Sequence, residues 1–348
     1  MKNKTTNTQP DFIMFSKVIK EEKIKEVNRL IAASSNILLT AHISPDGDAL
    51  GATLGLFHYL VSIGKKSIIM VPNRYPAFYE WMPGIDKVVI MEEAKAQSIN
   101  IIKKADLIFC LDYNSLDRVN GMKPILEQSK APKILLDHHL NPDIDAVVKI
   151  SHPEISSTSE LVFRLICRIG GYADMNTEGA QCIYTGMMTD TGGFTYNSNS
   201  REIYTIIGYL LDKGIDKDDI YRRVFNTYSE DRLRLLGYCL TKMEILDNSN
   251  TAIISLTLDE LNRFNYQVGD TEGFVNIPMQ IKHINRSVLL REDKDKVKLS
   301  FRSQGDTPVN TLAEQFGGGG HKNAAGGESY LSLDKTLDKL RTLLRQTP

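Results

Sequence analysis

Cysteine is scarce. The chain holds four, Cys110, Cys167, Cys182 and Cys239, and they are too scattered to form a CxxC pair or a thiolate zinc spacing. Cys110 and Cys182 lie inside apolar stretches and read as buried thiols. A basic excess is also missing. Lys and Arg total 42 against 43 Asp and Glu, which excludes the global positive charge that holds long duplex nucleic acid by its phosphates. A small anionic ligand in a local pocket stays open. Aromatic residues are spread out rather than interleaved with basic ones, so there is no stacking platform for long single strands. The one tryptophan, Trp81, reads as packing rather than base stacking. No apolar run approaches the roughly 18 residues of a membrane span. Met1–Pro10 is polar and lacks the apolar core of a signal peptide. The expectation is a soluble, cytoplasmic protein without membrane contact, with a disordered tail over residues 1–15.

What is present is patterned. At 348 residues the chain is longer than one typical core supports, so two domains are expected. Apolar positions recur at helical spacing over about 16–34, with Ile24, Val27, Leu30 and Ile31 on one side. Short apolar runs follow at Ile37–Thr40, Ser67–Val71, Val88–Met91, Leu107–Leu111, Ile134–Leu136 and Val147–Ile150. Helical patterns lie between and after them, at about 48–62, 93–104, 157–169 and 177–189. Runs apolar on both faces suit parallel strands covered by helices, and the alternation reads as a doubly wound α/β sheet. Residues 201–245 read as nearly all helix, broken at Gly214 and around Tyr228. From there the character changes to a smaller α+β pattern, with strands near 252–256, 288–291 and 297–302 and a closing helix carrying Leu333, Leu337, Leu340 and Leu344. The expected layout is a catalytic domain over 16–205, a helical linker over 206–240 and a second domain over 241–348.

The chemistry gathers where apolar runs end. His42, Asp46 and Asp48 follow Ile37–Thr40. Asp112 follows Leu107–Leu111. Asp137, His138 and His139 follow Ile134–Leu136. Asp190 stands at the start of a Gly-rich turn. In a parallel sheet the strand ends converge on one edge, so these residues can meet although far apart in the chain. Taken singly, Asp112, Asp137 or Asp48 would be an ordinary helix cap or turn residue, and His42 a satisfied structural histidine. The joint pattern points to metal. Four aspartates within about 4 Å of one another would repel by several kcal/mol per pair even at an effective dielectric near 20. Asp46, Asp48, Asp112 and Asp190 carry four negative charges, which two divalent cations balance. Imidazole and carboxylate ligands without thiolate suit manganese, with magnesium, cobalt or iron as alternatives.

His42-x-x-x-Asp46-x-Asp48, Asp112, Asp137-His138-His139 and Asp190 resemble the four motifs of the DHH phosphoesterase superfamily. The segment Gly317-Gly318-Gly319-Gly320-His321 resembles the signature of the DHH-associated C-terminal domain. The resemblance spans about residues 20–345, and the two-domain length is most similar to the branch of bifunctional oligoribonucleases and pAp phosphatases (NrnA-like). It implies one metal on His42, Asp46 and Asp112. It implies a second on Asp48, Asp112, His138 and Asp190, with Asp112 bridging. Asp137 would orient a histidine, and His139 would face the substrate phosphate or protonate the leaving oxygen. Arg302 resembles a phosphate-binding arginine. Gly318, Gly319 and Gly320 would let backbone N–H groups approach an anion, with His321 supplying a further donor. Arg286, His283 and Lys322 read as solvated surface charges.

The resulting expectation is a hydrolase whose two metal ions activate water. It would cleave short oligoribonucleotides of 2–5 nucleotides to mononucleotides, and pAp to AMP. The smaller domain would close over the site and limit substrate length. A cyclic di-AMP or pApA phosphodiesterase would share every ligand. A processive exonuclease, an inorganic pyrophosphatase and a nucleotide sensor without turnover fit less well. The substrates are the expected partners, and a homodimer is left open as the assembly.

Overall fold

Continuous apolar runs become the strands of a wholly parallel sheet. The computed structural model describes residues 18–346, so the tail expected to be disordered lies outside the described residues. The chain divides into two units, Met1–Asn226 and Thr227–Pro348.

The first unit runs α1 (Glu21–Ala33), β1 (Ile37–Thr40), α2 (Gly47–Ser62), β2 (Ser67–Val71), β3 (Val88–Ile90), α3 (Lys95–Lys104), β4 (Leu107–Leu111), α4 (Lys123–Gln128), β5 (Lys133–Asp137), β6 (Val148–Ser151), α5 (Thr158–Arg168), α6 (Thr177–Asp190), α7 (Arg201–Asp212) and α8 (Lys217–Phe225). Its six strands lie in the order β3-β2-β1-β4-β5-β6. Every neighbouring pair is parallel. β1 and β4 are buried along their length, as strands covered on both faces must be. One core joins the sheet to α1, α2, α5 and α6, and a second covers the opposite face with Ile102, Val119, Met122 and Leu126. The chain winds outward in both directions from β1 and β4, so the strand order reverses between them. The loops leaving those two strands flank the crevice where open α/β sheets hold ligands.

Helix α2 is held against α6 by missing side chains. Gly47, Gly51 and Gly55 recur every four residues and so line one stripe of α2. A Cβ on Gly51 would lie 2.7 Å from the Cys182 carbonyl oxygen and from the Gly186 Cα. The two backbones therefore touch, which fixes the start of α2 relative to the end of α6, where Asp48 and Asp190 stand.

The second unit runs α9 (Glu230–Lys242), β7 (Glu244–Leu246), β8 (Thr251–Leu256), α10 (Leu258–Arg263), β9 (Arg286–Glu292), β10 (Val297–Ser303), α11 (Asn310–Glu314), β11 (Gly319–His321), β12 (Ala324–Ser329) and α12 (Leu333–Gln346). Its sheet is mixed, in the order β11-β12-β10-β9-β8-β7. β8 and β9 are parallel and the other pairs antiparallel. Leu333, Leu337, Leu340 and Leu344 of α12 pack on Val288, Leu290, Leu299 and Phe301.

The helical stretch read over 201–245 breaks at Gly214 and around Tyr228, as the sequence implies, and forms three helices. α7 and α8 lie in the first unit and α9 in the second. The glycine run is not a free loop. Gly319–His321 pairs with Ala324–Gly326. β12, with the sequence AAGGES, carries no apolar alternation, so only its pairing with β10 and β11 makes it a strand. Arg286 corrects a sequence expectation: it is 5% exposed rather than solvated. It begins β9 beside Ser303 of β10, and alternation alone does not reveal that this strand end is covered.

Candidate metal centre

Three strand ends deliver the site. The turn after β1 carries His42 and Asp46 and leads into Asp48, the second residue of α2. Asp46 is the N-cap of α2: its Oδ1 accepts from the backbone N–H of Asp48 and of Ala49, each at 3.0 Å. The capping role that the sequence offered to Asp48 thus falls to Asp46, and Asp48 is turned inward, 1% exposed. Asp112 follows β4 in the left-handed region, at φ 64°. A non-glycine residue held there is strained by order 1–3 kcal/mol, a cost that recurs at functional sites. Asp137 closes β5, and His138 and His139 follow it.

The donors gather in two groups that share Asp112. In one, His42 Nε2 lies 3.3 Å from Asp112 Oδ2 and 3.8 Å from Asp46 Oδ1. In the other, His138 Nε2 lies 3.6 Å from Asp112 Oδ1, 4.0 Å from Asp48 Oδ2 and 3.5 Å from Asp190 Oδ2. His42 Nδ1 is 2.8 Å from the Ile43 carbonyl, and His138 Nδ1 is 3.2 Å from that of Ile155. A carbonyl can only accept, so each Nδ1 carries a proton and each Nε2 faces the carboxylates, where it can hold a second proton or give its lone pair to a metal ion. Metal-binding histidines are oriented in this way. His139 differs. Its Nδ1 donates to Asp137 Oδ1 at 2.7 Å. Asp137 is fully buried, and its Oδ2 has no hydrogen-bond partner among the described residues.

The charges do not balance from within. Burial, then Asp112 and Asp190, push the Asp48 carboxyl well above its ordinary pKa. Burial works to lower the pKa of His138, but Asp190, Asp112 and Asp48 outweigh it and raise it to about 9. His42 is likewise raised, its hydrogen bond to Asp112 and the nearby acids overcoming burial. Asp112 is held below the usual carboxylate range despite burial, because His42, His139 and His138 surround it. Buried carboxylates that force protons onto neighbouring imidazoles form a site that cations would neutralise. The donor set, oxygen and imidazole nitrogen without thiolate, fits divalent ions of the manganese and magnesium type.

Sequence reading missed the first turn of α5. Thr158 N–H donates to Asp48 Oδ2 at 2.7 Å and Ser159 N–H to Asp48 Oδ1 at 2.8 Å. The Thr158 hydroxyl donates to Asp112 Oδ1 at 2.9 Å. The run Ser156-Ser157-Thr158-Ser159 reads as a helix start and gives no hint of what that start faces.

In the second unit, Arg302 is half-buried and donates to the Phe301 carbonyl at 2.9 Å. Lys322 is exposed and pairs with Asp306 at 2.7 Å. A Cβ at Gly318 would sit 1.9 Å from the Gly326 carbonyl oxygen, and one at Gly320 would sit 2.6 Å from that of Ala324. Those two glycines are required by the hairpin itself. Gly319 faces open space and is exposed.

Residues 36–187 match the DHH family, N-terminal domain, and residues 250–346 match the DHHA1 domain. A crystallised exopolyphosphatase-related protein from Bacteroides fragilis is 51% identical. The match covers 95% of this chain and 98% of that one, at a TM-score of 0.91. The chain belongs to the DHH family. As a DHH-family phosphoesterase it is a hydrolase that acts on phosphodiester or phosphate bonds of nucleotides. The chain is 25% identical to the bifunctional oligoribonuclease and PAP phosphatase NrnA of Bacillus subtilis over 92% of its length and 98% of that protein. It is 26% identical to the cyclic-di-AMP phosphodiesterase GdpP of Bacillus subtilis over 90% of its length, spanning 48% of that protein. Among the described residues of this DHH-family chain no helix is long and apolar enough to cross a membrane.

Proposed function

We propose that the chain hydrolyses short oligoribonucleotides to mononucleotides, and pAp to AMP, at a centre of two divalent ions. The observation that carries this reading is the pair of donor groups meeting at Asp112. His42, Asp46 and Asp112 would hold one ion. Asp48, Asp112, His138 and Asp190 would hold the other. Such ions, when bound, lower the pKa of water and stabilise charge on a phosphoryl group.

The chain's own residues do the rest. The Ile43 and Ile155 carbonyls keep the Nε2 lone pairs of His42 and His138 turned inward. Asp137, accepting from Nδ1, orients the His139 ring and leaves its Nε2 to deliver a proton to the leaving oxygen. In the second unit, Arg302, His321 and the backbone of Gly318, Gly319 and Gly320 would bind the phosphate end of the nucleotide. The near balance of 42 basic and 43 acidic residues supports a short substrate over a long one.

Resemblance to GdpP supports a second reading, hydrolysis of cyclic di-AMP or pApA with the same ligand set. Product analysis with Mn(II) separates the two. The panel is a 5-mer RNA, a 24-mer RNA, pAp, pApA and cyclic di-AMP, with inorganic polyphosphate added on account of the exopolyphosphatase-related relative. The first reading expects mononucleotides from the 5-mer and AMP from pAp, with little turnover of the 24-mer. Turnover confined to cyclic di-AMP and pApA would install the second. No product from any substrate, with Mn(II) bound, would overturn both.

A further inference from the structure

We propose that the first turn of α5 is the positioning element of the metal centre: the Thr158 hydroxyl sets the rotation of the Asp112 carboxylate, and the Thr158 and Ser159 N–H groups set Asp48. This inference rests on the two-ion reading and adds residues outside its ligand set.

A carboxylate that serves two ions must present one oxygen to each. The Asp χ2 torsion is broad, so the side chain does not hold that orientation by itself. Here Oδ2 faces His42 Nε2 at 3.3 Å and Oδ1 faces His138 Nε2 at 3.6 Å. The Thr158 hydroxyl, 2.9 Å from Oδ1, is the contact that opposes rotation from the α5 side. Asp48 is held more completely. Its two oxygens accept from consecutive backbone N–H groups at 2.7 and 2.8 Å. Those groups belong to the first helical turn, whose donors have no partner inside the helix and whose dipole favours negative charge. α6 leaves room for the arrangement: a Cβ at Gly186 would fall 1.9 Å from Ser159 Oγ and 3.0 Å from Asp48 Oδ1.

The turn is itself anchored. Ser157 caps α5, accepting from Glu160 N–H at 3.0 Å. Glu160 Oε1 accepts from Arg164 at 2.6 and 2.9 Å, and the same guanidinium reaches Glu202 of α7 at 2.7 Å. Glu160 Oε2 accepts from the Ser156 hydroxyl at 2.6 Å. Arg164 and Glu160 are each 1% exposed. A buried ion pair of this kind adds little net stability because both charges are desolvated. What it does is fix geometry: it ties the third and seventh residues of α5 to α7, so the turn cannot slide away from Asp48 and Asp112.

The test titrates metal-stripped wild-type, Thr158→Val and Thr158→Ser proteins with MnCl2 by calorimetry, with the thermal midpoints of the metal-free proteins measured alongside. Wild type is expected to take up two ions. Thr158→Val, of the same shape without the hydroxyl, should bind the weaker ion about 10–100-fold less tightly, the usual loss for a group that orients a ligand. Thr158→Ser should stay near wild type, and the metal-free midpoints should agree. A Thr158→Val protein that binds two ions as wild type does overturns this inference alone. So does an equal loss in Thr158→Ser, because the hydroxyl is then not the cause. If Thr158→Val does not fold, Thr158→Ala carries the same expectation. Failure of both to fold assigns Thr158 a purely structural role and overturns the inference. A wild-type protein that takes up no Mn(II) overturns the two-ion reading itself.

Discussion

His139 and Asp112 are the residues whose replacement separates chemistry from metal binding. His139 is tied to Asp137 at 2.7 Å, lies 3.8 Å from Asp112 Oδ1 and stands outside the proposed ligand set. His139→Gln is therefore expected to lower kcat by about 10²–10⁴-fold, the range for a lost general acid. Its Mn(II) affinity, read by calorimetry, should stay near wild type. Asp112→Ala should lose both, since it removes the carboxylate common to the two donor groups. The unbalanced charges give a pH dependence to the metal-free protein. His138, raised to about 9, and His42, also raised, keep protons that an unfolded histidine releases near 6.5. Their contribution to stability is full below about 6.5 and is lost as pH climbs through the folded values. Asp48, raised as well, acts in the same direction, its contribution fading as pH rises above the ordinary carboxyl range. Asp112, which is depressed, contributes steadily throughout this window. The melting midpoint of the metal-free protein should fall between about pH 6.5 and pH 9. Because metal ligands must be deprotonated, Mn(II) should flatten or reverse that slope. The meeting of His42, Asp46, Asp48, Asp112, His138 and Asp190 was legible because each stands where an apolar run or helix ends. Thr158 and Ser159 were not, because a Ser/Thr-rich helix start looks the same whether it faces solvent or a buried carboxylate.

Among elements, glycine decides two contacts that periodicity does not record. Gly51→Ala would place a methyl 2.7 Å from backbone atoms of α6. It should destabilise the first unit by about 1–3 kcal/mol, the cost of overpacking, and weaken Mn(II) binding by parting Asp48 from Asp190. In the second unit, Gly318→Ala meets a carbonyl at 1.9 Å while Gly319→Ala meets nothing. The first should lower the thermal midpoint. The second should stay within about 0.5 kcal/mol of wild type, as ordinary surface changes do. The parallel strands were readable as apolar runs, and α2, α5 and α6 as periodic segments between them. β12 was not, because its Ala-Ala-Gly-Gly has no side-chain pattern and its state comes from its neighbours. Arg286 was misread for a related reason: exposure at a strand end depends on what covers it, which no local spacing encodes.

At the scale of the whole molecule, the order β3-β2-β1-β4-β5-β6 explains why residues 42 to 190 share one site. The turns after β1 and β4 flank the switch point, β5 adds its end beside β4, and the glycine contact of α2 with α6 brings in Asp190. Near-neutral overall charge carries a further prediction. A short RNA neutralised at one or two phosphates should show a KM rising only about 3–7-fold between roughly 50 and 200 mM salt. A rise near a thousandfold would mean a long-strand binder. The central claim is tested most directly by the anomalous difference density of a Mn(II)-loaded crystal. Two peaks are expected, both within bonding reach of Asp112, with Asp46 on one ion and Asp48 on the other. A single peak, or Asp46 and Asp48 on the same ion, would contradict it.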